Sequence, residues 1–424
     1  MTIEQLYSIF KQYPSVQTDT RSLKAGDLFF ALKGPNFNAN QFAEKALAAG
    51  AAYAVVDEAP TTPNDRIILV ADVLDTLQQL AKYHRQQFRI PFIAITGSNG
   101  KTTTKELVST VLSTTYKTYT TQGNLNNHIG VPLTILRVKE DAEMAVIEMG
   151  ANHQQEIASY CAYTLPTHGI ITNAGKAHLE GFGGVEGVRK GKGELFDYLR
   201  AHNGTAFVMW DYDYLHKMSE GISHIIKYGT SNADVTGELL QSEPFLSVAI
   251  TAGTPLSIQT QLVGAYNLPN VLVAATVGRH FKVSDTNIRQ AIESYTPSNS
   301  RSQLIEKGDN KIILDAYNAN PSSMKAAIEN FAGIKADHKI LMLGAMAELG
   351  PESIEEHRQL VDLIKRHQWD AVILVGGDFM KIEHPFIRKE NAQEAADWFK
   401  SQNLHNSFLL IKGSRSMQME KVLA

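Results

Sequence analysis

One stretch of the chain, FIAITGSNGKTTTKE at positions 92–106, constrains the fold more than any other feature. The apolar run FIAIT predicts a buried strand, and the residues after the glycines predict a helix beginning at Lys101. A strand that enters a glycine-rich loop and then a helix is typical of a parallel sheet with a phosphate site, because helix N-termini offer unpaired N–H groups. The longer loop form G-x-x-x-x-G-K-[ST] requires glycine where this chain has Ile95, so the match is to T-G-x-x-G-K-T. The candidate phosphate-binding residues are Gly97, Ser98, Asn99, Gly100, Lys101, Thr102 and Thr103.

Two side chains of this loop carry the predicted chemistry. We expect Lys101 to meet the β and γ phosphates of a nucleotide and Thr102 to bind Mg²⁺. The alternative is a glycine-rich turn that only caps a helix. A phosphate loop by itself leaves kinases, GTPases, motor ATPases and ligases open.

The pattern of apolar runs along the chain divides it into three parts. Residues 1–87 combine short apolar runs with helical stretches and predict a small N-terminal α/β domain. Residues 88–309 alternate strands and helices, which predicts a central P-loop ATPase domain with a parallel sheet and helices on both faces, and an antiparallel appendage from about 233 to 263. Residues 310–424 repeat the α/β alternation and predict a C-terminal Rossmann-like domain.

Composition excludes several classes of protein. The formal net charge of −4 over 424 residues supplies no electrostatic reason to expect nucleic acid as a partner. The single cysteine, Cys161, excludes an internal disulfide framework and is expected to be a buried, unreactive thiol. No apolar run is long enough for a membrane span and no signal peptide is visible at the N-terminus, so we expect a cytoplasmic protein without membrane insertion.

Two further residues are candidates for a metal site beside the loop. Glu148 ends the strand-like run AVIEMG, and His178 follows the next such run. Ligands of open α/β sheets gather outside the carboxyl ends of the strands, where both residues are expected. The alternatives are a strand-end carboxylate in a salt bridge and a structural or solvent-facing histidine.

Several segments together resemble the Mur ligase family. They are TGSNGKTTTKE, TQGNLNNHIGVPLTIL, IEMGANHQQEI, TNAGKAHLEGFGG, KGKGELF, LDAYNANPSSMKAA, GAMAELG and KGSRSMQME, and they extend from about Asp19 to Glu420. The resemblance implies a UDP-sugar-binding N-terminal domain, a central ATPase domain and a C-terminal domain for the amino substrate. It also accounts for Ile95, because this superfamily uses the shorter loop.

The resemblance implies an activity and its substrates. The activity is ATP-dependent amide ligation through an acyl phosphate, and YNANP, MAELG and KGSRSM point to the branch that joins UDP-N-acetylmuramoyl-tripeptide to D-alanyl-D-alanine. This is the last cytoplasmic step in making a peptidoglycan precursor. The family also suggests a monomer.

Further site residues follow from the resemblance. It places Lys101 and Thr102 on ATP and Mg²⁺, and assigns Glu148 and His178 to two metal ions. Lys192 in KGKGELF matches a lysine that the family carbamylates. The remaining matches near ATP are Asn267, Asn270, Arg301 and Asp315.

The substrate contacts implied by the resemblance lie in four segments. The segment GPNFNANQF lacks the Asp-Gly-His run that is often found there, and Ser300 stands where glycine is common. The resemblance therefore does not extend to the details of UDP-sugar contact or of hinge geometry. An asparagine-rich segment could also be plain turn chemistry. The implied substrate residues are Thr20 and Arg21 for uridine, Asn124, Asn126 and Asn127 for the sugar nucleotide, and Asn318, Asn320, Ser414 and Arg415 near the C-terminal cleft.

Two other functions remain open at this stage. One is a related ligase that adds a single amino acid, or glutamate to a folate. The other is a nucleotide-binding module without catalysis, against which the joint presence of Lys101, Glu148, His178 and Lys192 argues.

Overall fold

The computed structural model describes residues 1–60, 63–298 and 300–424. These residues form three main β-sheets and one short hairpin, with helices packed around the sheets. The first sheet is parallel throughout, with strand order β1-β2-β5-β6. Strands β3 and β4 form the short antiparallel hairpin. The elements of this part of the chain are α1 (Ile3–Gln12), β1 (Val16–Gln17), β2 (Leu28–Phe30), β3 (Lys33–Gly34), β4 (Phe37–Asn38), α2 (Ala43–Ala48), β5 (Tyr53–Val56), β6 (Ile67–Leu69) and α3 (Val73–Arg85).

The second sheet contains the phosphate loop. Its strand order is β15-β14-β13-β12-β11-β10-β7-β9-β8, parallel from β8 to β13 and antiparallel from β13 to β15. The antiparallel appendage predicted from the alternating pattern is therefore present. The strands are β7 (Phe92–Thr96), β8 (Thr118–Thr120), β9 (Met144–Glu148), β10 (His168–Ile171), β11 (Thr205–Met209), β12 (His224–Gly229), β13 (Val235–Gln241), β14 (Ser247–Ile250) and β15 (Leu256–Gln259).

Helices enclose this sheet. Every residue of β7 and of β9 is buried, which requires cover on both faces of the sheet. The pair α4 with α10 and the pair α6 with α8 each pack together. The helices are α4 (Lys101–Ser113), α5 (Gly130–Leu136), α6 (Glu156–Thr164), α7 (Leu179–Phe182), α8 (Val185–Ala201), α9 (Asp213–Ser219), α10 (Leu268–His280) and α11 (Asp285–Ser294).

The third sheet has the order β16-β17-β21-β18-β19-β20 and is parallel except for its edge strand β16. Its elements are β16 (Gln303–Lys307), β17 (Asn310–Asp315), α12 (Pro321–Gly333), β18 (His338–Gly344), α13 (Ser353–Ile364), β19 (Ala371–Val375), β20 (Ile387–Lys389), α14 (Ala392–Ser401) and β21 (Ser407–Lys412). The mixed α/β fold class predicted from the sequence is confirmed.

One predicted boundary falls within a hairpin of the structure. The division between 309 and 310 falls in the turn of the β16–β17 hairpin, in which Lys307 pairs with Asn310. The hairpin was missed because β16 is only partly buried and lacks a clear apolar run. We therefore place the proposed boundary before Gln303, and the division at 87/88 stays a prediction.

Two expectations about single features can be compared with the structure. Cys161 is buried in α6, and burial raises the pKa of its thiol, as an unreactive cysteine requires. No helix in the described ranges combines the length and apolar character needed to cross a membrane.

Candidate active site

A cleft of about 1540 Å³ lies where the second and third sheets face each other. It gathers residues from the phosphate loop, from the segments after β9 and β10, and from the segment after β17. The strand order explains this position. Strands β9 and β8 lie on one side of β7, and β10 and β11 lie on the other, so the chain crosses β7 between β9 and β10. A crevice opens at the carboxyl ends of the strands where the order reverses in this way. The predicted site residues that line the cleft are Ser98, Asn99, Gly100, Lys101, Thr102, Thr103, Asn124, Asn126, Asn127, Glu148, His178, Asn267, Asn270, Arg301, Asp315, Asn318 and Asn320.

The phosphate loop needs its two glycines for different reasons. Gly97 has φ of 144°, and a Cβ there would lie 2.0 Å from Thr172 Oγ1. Gly100 has φ of 78° and precedes α4 without a side-chain cap, so the first N–H groups of that helix are left for a ligand. These conformations are what a phosphate cradle requires, because the backbone must approach the anion closely.

Asn173, at the end of β10, holds the loop in place. Its carbonyl accepts the Ser98 N–H at 2.9 Å, and its side chain accepts the Asn99 N–H at 3.0 Å. Asn173 was missed from the sequence, although its position beside His178 in the segment ITNAGKAH was an available signal.

Lys101 lies folded over the loop. Its Nζ donates to the carbonyls of Gly97 at 2.7 Å and Ser98 at 3.2 Å. Burial lowers the pKa of Lys101 to about 8; Arg301 adds to this and Glu148 opposes it. An anion in the cradle would favour the charged ammonium.

Glu148 is the last residue of β9 and is almost fully buried. Its Oε1 accepts from Thr102 Oγ1 at 3.1 Å and from Asn126 Nδ2 at 2.8 Å. Its Oε2 is buried and has no hydrogen-bond partner among the described residues. A buried carboxylate oxygen without a partner is costly unless a cation or donor meets it, so this atom fits Mg²⁺ beside Thr102.

Lys192 is buried within α8 behind the cleft. Its Nζ donates to the carbonyl of Ala151 at 2.8 Å and lies 4.8 Å from the ring centre of Phe182. Burial, reinforced by Lys101, holds the pKa of Lys192 well below its usual range. Lys192 itself does not line the cleft, but Ala151 does.

His178 precedes the short helix α7 and adopts a left-handed backbone with φ of 52°. Its Nδ1 pairs with a carboxylate oxygen of Glu348 from the segment after β18. In the described ranges no three His, Cys, Asp or Glu side chains form a metal-binding group. The expected metal ligands are Thr102, Glu148, His178 and Lys192, and only Glu148 and His178 belong to these four residue types.

Asn267 and Asn270 link α10 to the phosphate helix. Asn270 Nδ2 donates to Asn267 Oδ1 at 2.8 Å, and Asn270 Oδ1 accepts from Thr104 Oγ1 at 3.0 Å. A Cβ on Gly100 would lie 2.8 Å from Asn270 Oδ1, so this asparagine closes one side of the loop.

Arg301 precedes β16, and Asp315 ends β17 of the same hairpin in the third sheet. The guanidinium carbon of Arg301 lies 3.6 Å from the ring centre of Tyr317. Asp315 accepts the Ser302 N–H at 3.2 Å and forms an ion pair with the buried Lys412. Lys412 lines the cleft and was missed, although it opens the segment KGSRSM.

The asparagine-rich segment has structural as well as cleft-facing roles. Asn127 Oδ1 accepts the Gly130 N–H at 2.8 Å at the start of α5. The carbonyl of Asn124 accepts the N–H of Asn126 at 2.8 Å. The turn chemistry considered as an alternative is therefore present together with exposure to the cleft.

Four predicted substrate residues do not line the cleft. Arg21 is 89% exposed at its side chain and pairs with Asp19, and Thr20 precedes it on the first sheet's side of the molecule. Ser414 is buried and donates to the carbonyl of Ala345 at 2.6 Å. Arg415 is exposed and pairs with Glu420 at 3.1 Å. Ser414 and Arg415, expected near the C-terminal cleft, do not line it themselves, but the guanidinium carbon of Arg415 lies 6.0 Å from the ring centre of Tyr317, which does.

Contacts across the cleft hold the second and third sheets together. Asn320 Nδ2 donates to Asn99 Oδ1 at 2.8 Å, so the C-terminal segment touches the phosphate loop directly. The backbone N–H of Lys176 donates to Ser322 Oγ at 3.1 Å, and its ammonium pairs with Glu356. Lys176 and Glu356 were missed because the sequence around a charged residue does not indicate which distant residue it will pair with.

Models of the Mur ligase domains match this chain along nearly its whole length. "Mur ligase family, catalytic domain" matches residues 12–85, "Mur ligase middle domain" residues 95–278, and "Mur ligase, glutamate ligase domain" residues 300–415. The start of the third match agrees with a boundary before Gln303.

Relatives and solved structures agree with these matches. The UDP-N-acetylmuramoyl-tripeptide--D-alanyl-D-alanine ligases of Escherichia coli (strain K12) and Bacillus subtilis (strain 168) are 35% and 33% identical, each over 96% of this chain and 92% of the relative. The crystal structure of MurF from Acinetobacter baumannii superposes with a TM-score of 0.89 at 30% identity, covering 100% of this chain and 97% of that one. MurF ligase from Thermotoga maritima in complex with ADP gives 0.87 at 27% identity, covering 96% of both chains. The chain therefore belongs to the Mur ligase family, in the group of UDP-N-acetylmuramoyl-tripeptide--D-alanyl-D-alanine ligases.

Proposed function

We propose that this chain joins D-alanyl-D-alanine to UDP-N-acetylmuramoyl-tripeptide with consumption of ATP. The observation that carries the proposal is the cleft in which Asn320 of the C-terminal part meets Asn99 of the phosphate loop. This arrangement lets one part hold a nucleotide while the other presents an amine. Full-length similarity to ligases of this name supports the same substrates.

The reaction must activate a carboxylate, which is a poor electrophile at neutral pH. In the proposed first step, a carboxylate oxygen of the tripeptide bonds to the γ-phosphorus of ATP, the bond to the bridging oxygen breaks, and ADP leaves. In the second step, the amine nitrogen attacks the resulting acyl phosphate and loses a proton. Collapse of the tetrahedral intermediate then breaks the bond to phosphate and leaves an amide.

The residues of the chain contribute charge and position. Lys101 would leave its two carbonyl partners and meet the phosphates, and the free N–H groups at the start of α4 would bind the same anion. Thr102 and Glu148 would hold Mg²⁺, which offsets charge on the phosphates. The buried, unpartnered Oε2 of Glu148 supports this assignment.

Carbamylation of Lys192 belongs to the proposal as well. CO₂ reacts with a neutral amine, forming an N–C bond and releasing a proton, and burial lowers the pKa of Lys192 and so favours its neutral form. The product is an anion next to Ala151, on the wall of the cleft. With His178, this anion would serve a second Mg²⁺.

The remaining ligand assignments stay predictions. Asn267, Asn270, Arg301 and Asp315 are proposed for ATP. The proposed UDP-sugar residues are Thr20, Arg21, Asn124, Asn126 and Asn127, and those for the amino substrate are Asn318, Asn320, Ser414 and Arg415. A cytoplasmic location and a monomeric state are proposed on the same basis.

A phosphate-release assay tests the proposed reaction. The protein is supplied with ATP, Mg²⁺, D-alanyl-D-alanine and UDP-tripeptides that end in lysine or in diaminopimelate, and with folate and glutamate as the control pair. We expect phosphate release only when a UDP-tripeptide and the dipeptide are both present. Turnover with folate and glutamate alone would assign the chain to another ligase, and ATP binding without turnover on any pair would make it a binding module.

A further inference from the structure

The contact between His178 and Glu348 joins two residues with unusual backbone conformations. His178 has φ of 52° and Glu348 has φ of 60°. Both values lie in the left-handed backbone region that residues other than glycine rarely adopt. Strained residues of this kind persist only where the surrounding structure holds them, and they concentrate at functional sites. The strain therefore points to a role for the contact beyond surface packing.

Neighbouring contacts keep the two segments in register. The N–H of Glu180 donates to the carbonyl of Glu348 at 3.4 Å. Gly350 also lies against Glu180, since a Cβ built on it would be 3.2 Å from the Glu180 Cβ. The segment after β18 is thus docked along α7, and the carboxylate of Glu348 reaches His178 from the C-terminal part of the chain.

The contact determines which ring nitrogen of His178 is available. A carboxylate accepts a hydrogen bond from Nδ1–H, and in the neutral imidazole this leaves the lone pair on Nε2. Among the described residues Nε2 has no hydrogen-bond partner, and His178 lines the cleft. Histidines that bind metals commonly donate their other nitrogen to a carboxylate, which sets the tautomer and the orientation of the ring.

We propose that Glu348 is a positioning residue, supplied by the C-terminal domain, that orients His178 for the metal ion of the cleft. This inference rests on the proposed function, because it requires a metal ion beside the nucleotide. Glu348 lies 170 positions from His178, in the segment that follows β18 of the third sheet. The metal site is therefore complete only when the two domains are docked, so metal binding and docking stabilise each other.

The same interface offers a matched control. Glu356 also reaches across the cleft, but it pairs with Lys176, which is not among the proposed metal ligands. Loss of either carboxylate removes one side-chain contact between the central and C-terminal parts. Only loss of Glu348 removes the partner of a proposed metal ligand.

Metal affinity and histidine tautomer test the inference on the full-length protein. Mn²⁺ serves as the probe, its binding is followed by electron paramagnetic resonance with the non-hydrolysable analogue AMPPCP present, and the variants are Glu348→Ala, Glu348→Gln and Glu356→Ala. We expect Mn²⁺ affinity to fall about 10- to 100-fold in Glu348→Ala, the range for loss of such a partner. Glu348→Gln should fall less, because its amide oxygen still accepts from Nδ1, and Glu356→Ala should change by less than about threefold.

Nitrogen-15 shifts of the imidazole supply a second readout, with the His178 signal identified by its loss in His178→Gln. We expect a proton on Nδ1 in the wild type and a mixture of tautomers in Glu348→Ala. The near-isosteric Glu348→Gln decides the question if the alanine variant does not fold. Equal Mn²⁺ affinities in the Glu348 and Glu356 variants, or an unchanged tautomer, would overturn the inference. Failure of the wild type to bind Mn²⁺ with the analogue would instead contradict the metal of the proposed function.

Discussion

Lys101 shows at the scale of one residue how a local motif acquires its chemistry. The sequence places the lysine at the start of α4, and the fold then surrounds it with carbonyls, Glu148 and Arg301. Burial is the largest influence, so the pKa of Lys101 falls to about 8. The side chain carries its positive charge below that pH and loses the charge above it.

Replacing Lys101 with alanine should nearly abolish ligation while the fold stays intact. The lost charge would otherwise stabilise the transferred phosphoryl group. Wild-type kcat/KM for ATP should also decline as pH rises through about 8, whereas Lys101→Arg, if active, should lack this decline because arginine stays charged. The measurements are steady-state kinetics and circular dichroism. Lys117→Ala, at an exposed lysine of the same domain, is the control, and near-normal turnover of a folded Lys101→Ala would reject the phosphate assignment.

Lys192 offers a second prediction at this scale. Lys192→Ala should lose activity, and small carboxylic acids such as acetate should restore part of it by supplying the missing anion to the cavity. The assay is turnover against acid concentration. Lys190→Ala, two positions earlier on α8, should keep its activity and gain nothing from the acids. An active Lys192→Ala, or the absence of any rescue, would count against the carbamate.

At the scale of single elements, α3 attaches the N-terminal part to the central sheet. Arg85, its last residue, is buried, and its guanidinium donates to the carbonyls of Thr164 at 2.9 Å and Leu165 at 3.0 Å. The guanidinium carbon also lies 3.8 Å from the ring centre of Phe92 in β7. One side chain thus ties the end of α3 to the end of α6 and to the strand before the phosphate loop.

Arg85→Ala should therefore lower the free energy of unfolding by about 2 kcal/mol or more, because two buried carbonyls lose their donors. Urea unfolding followed by circular dichroism measures the change. Arg89→Ala, at an exposed arginine four positions later, should change the stability by less than about 0.5 kcal/mol. Equal stability of the two variants would mean that Arg85 is not part of the attachment.

The two outer parts of the whole molecule are joined to the central sheet by different kinds of contact. Helix α3 packs directly against α5 and α6 of the central part. The C-terminal part meets the cleft through polar and ionic pairs, including those of Lys176 and Asn99. Polar contacts exchange with water at little cost, so we expect the C-terminal part to be the one that moves.

Fluorescence energy transfer can test this difference between the two joints. Dyes are attached at exposed positions through Lys11→Cys with Lys117→Cys, or Lys117→Cys with Lys400→Cys, while the native Cys161 is buried and does not compete. AMPPCP with Mg²⁺ should change transfer between 117 and 400 and leave transfer between 11 and 117 constant. The reverse result would show that the N-terminal part moves instead.

The sequence alone determined the strand, loop and helix at 92–113 and predicted a phosphate site there, because glycine conformation, helix capping and apolar periodicity are local properties. The resemblance added ATP, Mg²⁺ and the substrates, and most of the residues it named line one cleft. Only the tertiary structure decided which distant groups meet. It paired Glu348 with His178 and Lys412 with Asp315, assigned β16 to the third sheet, and left Thr20, Arg21, Ser414 and Arg415 outside the cleft. These contacts join positions as many as 170 residues apart, so they depend on how elements pack and not on spacing along the chain.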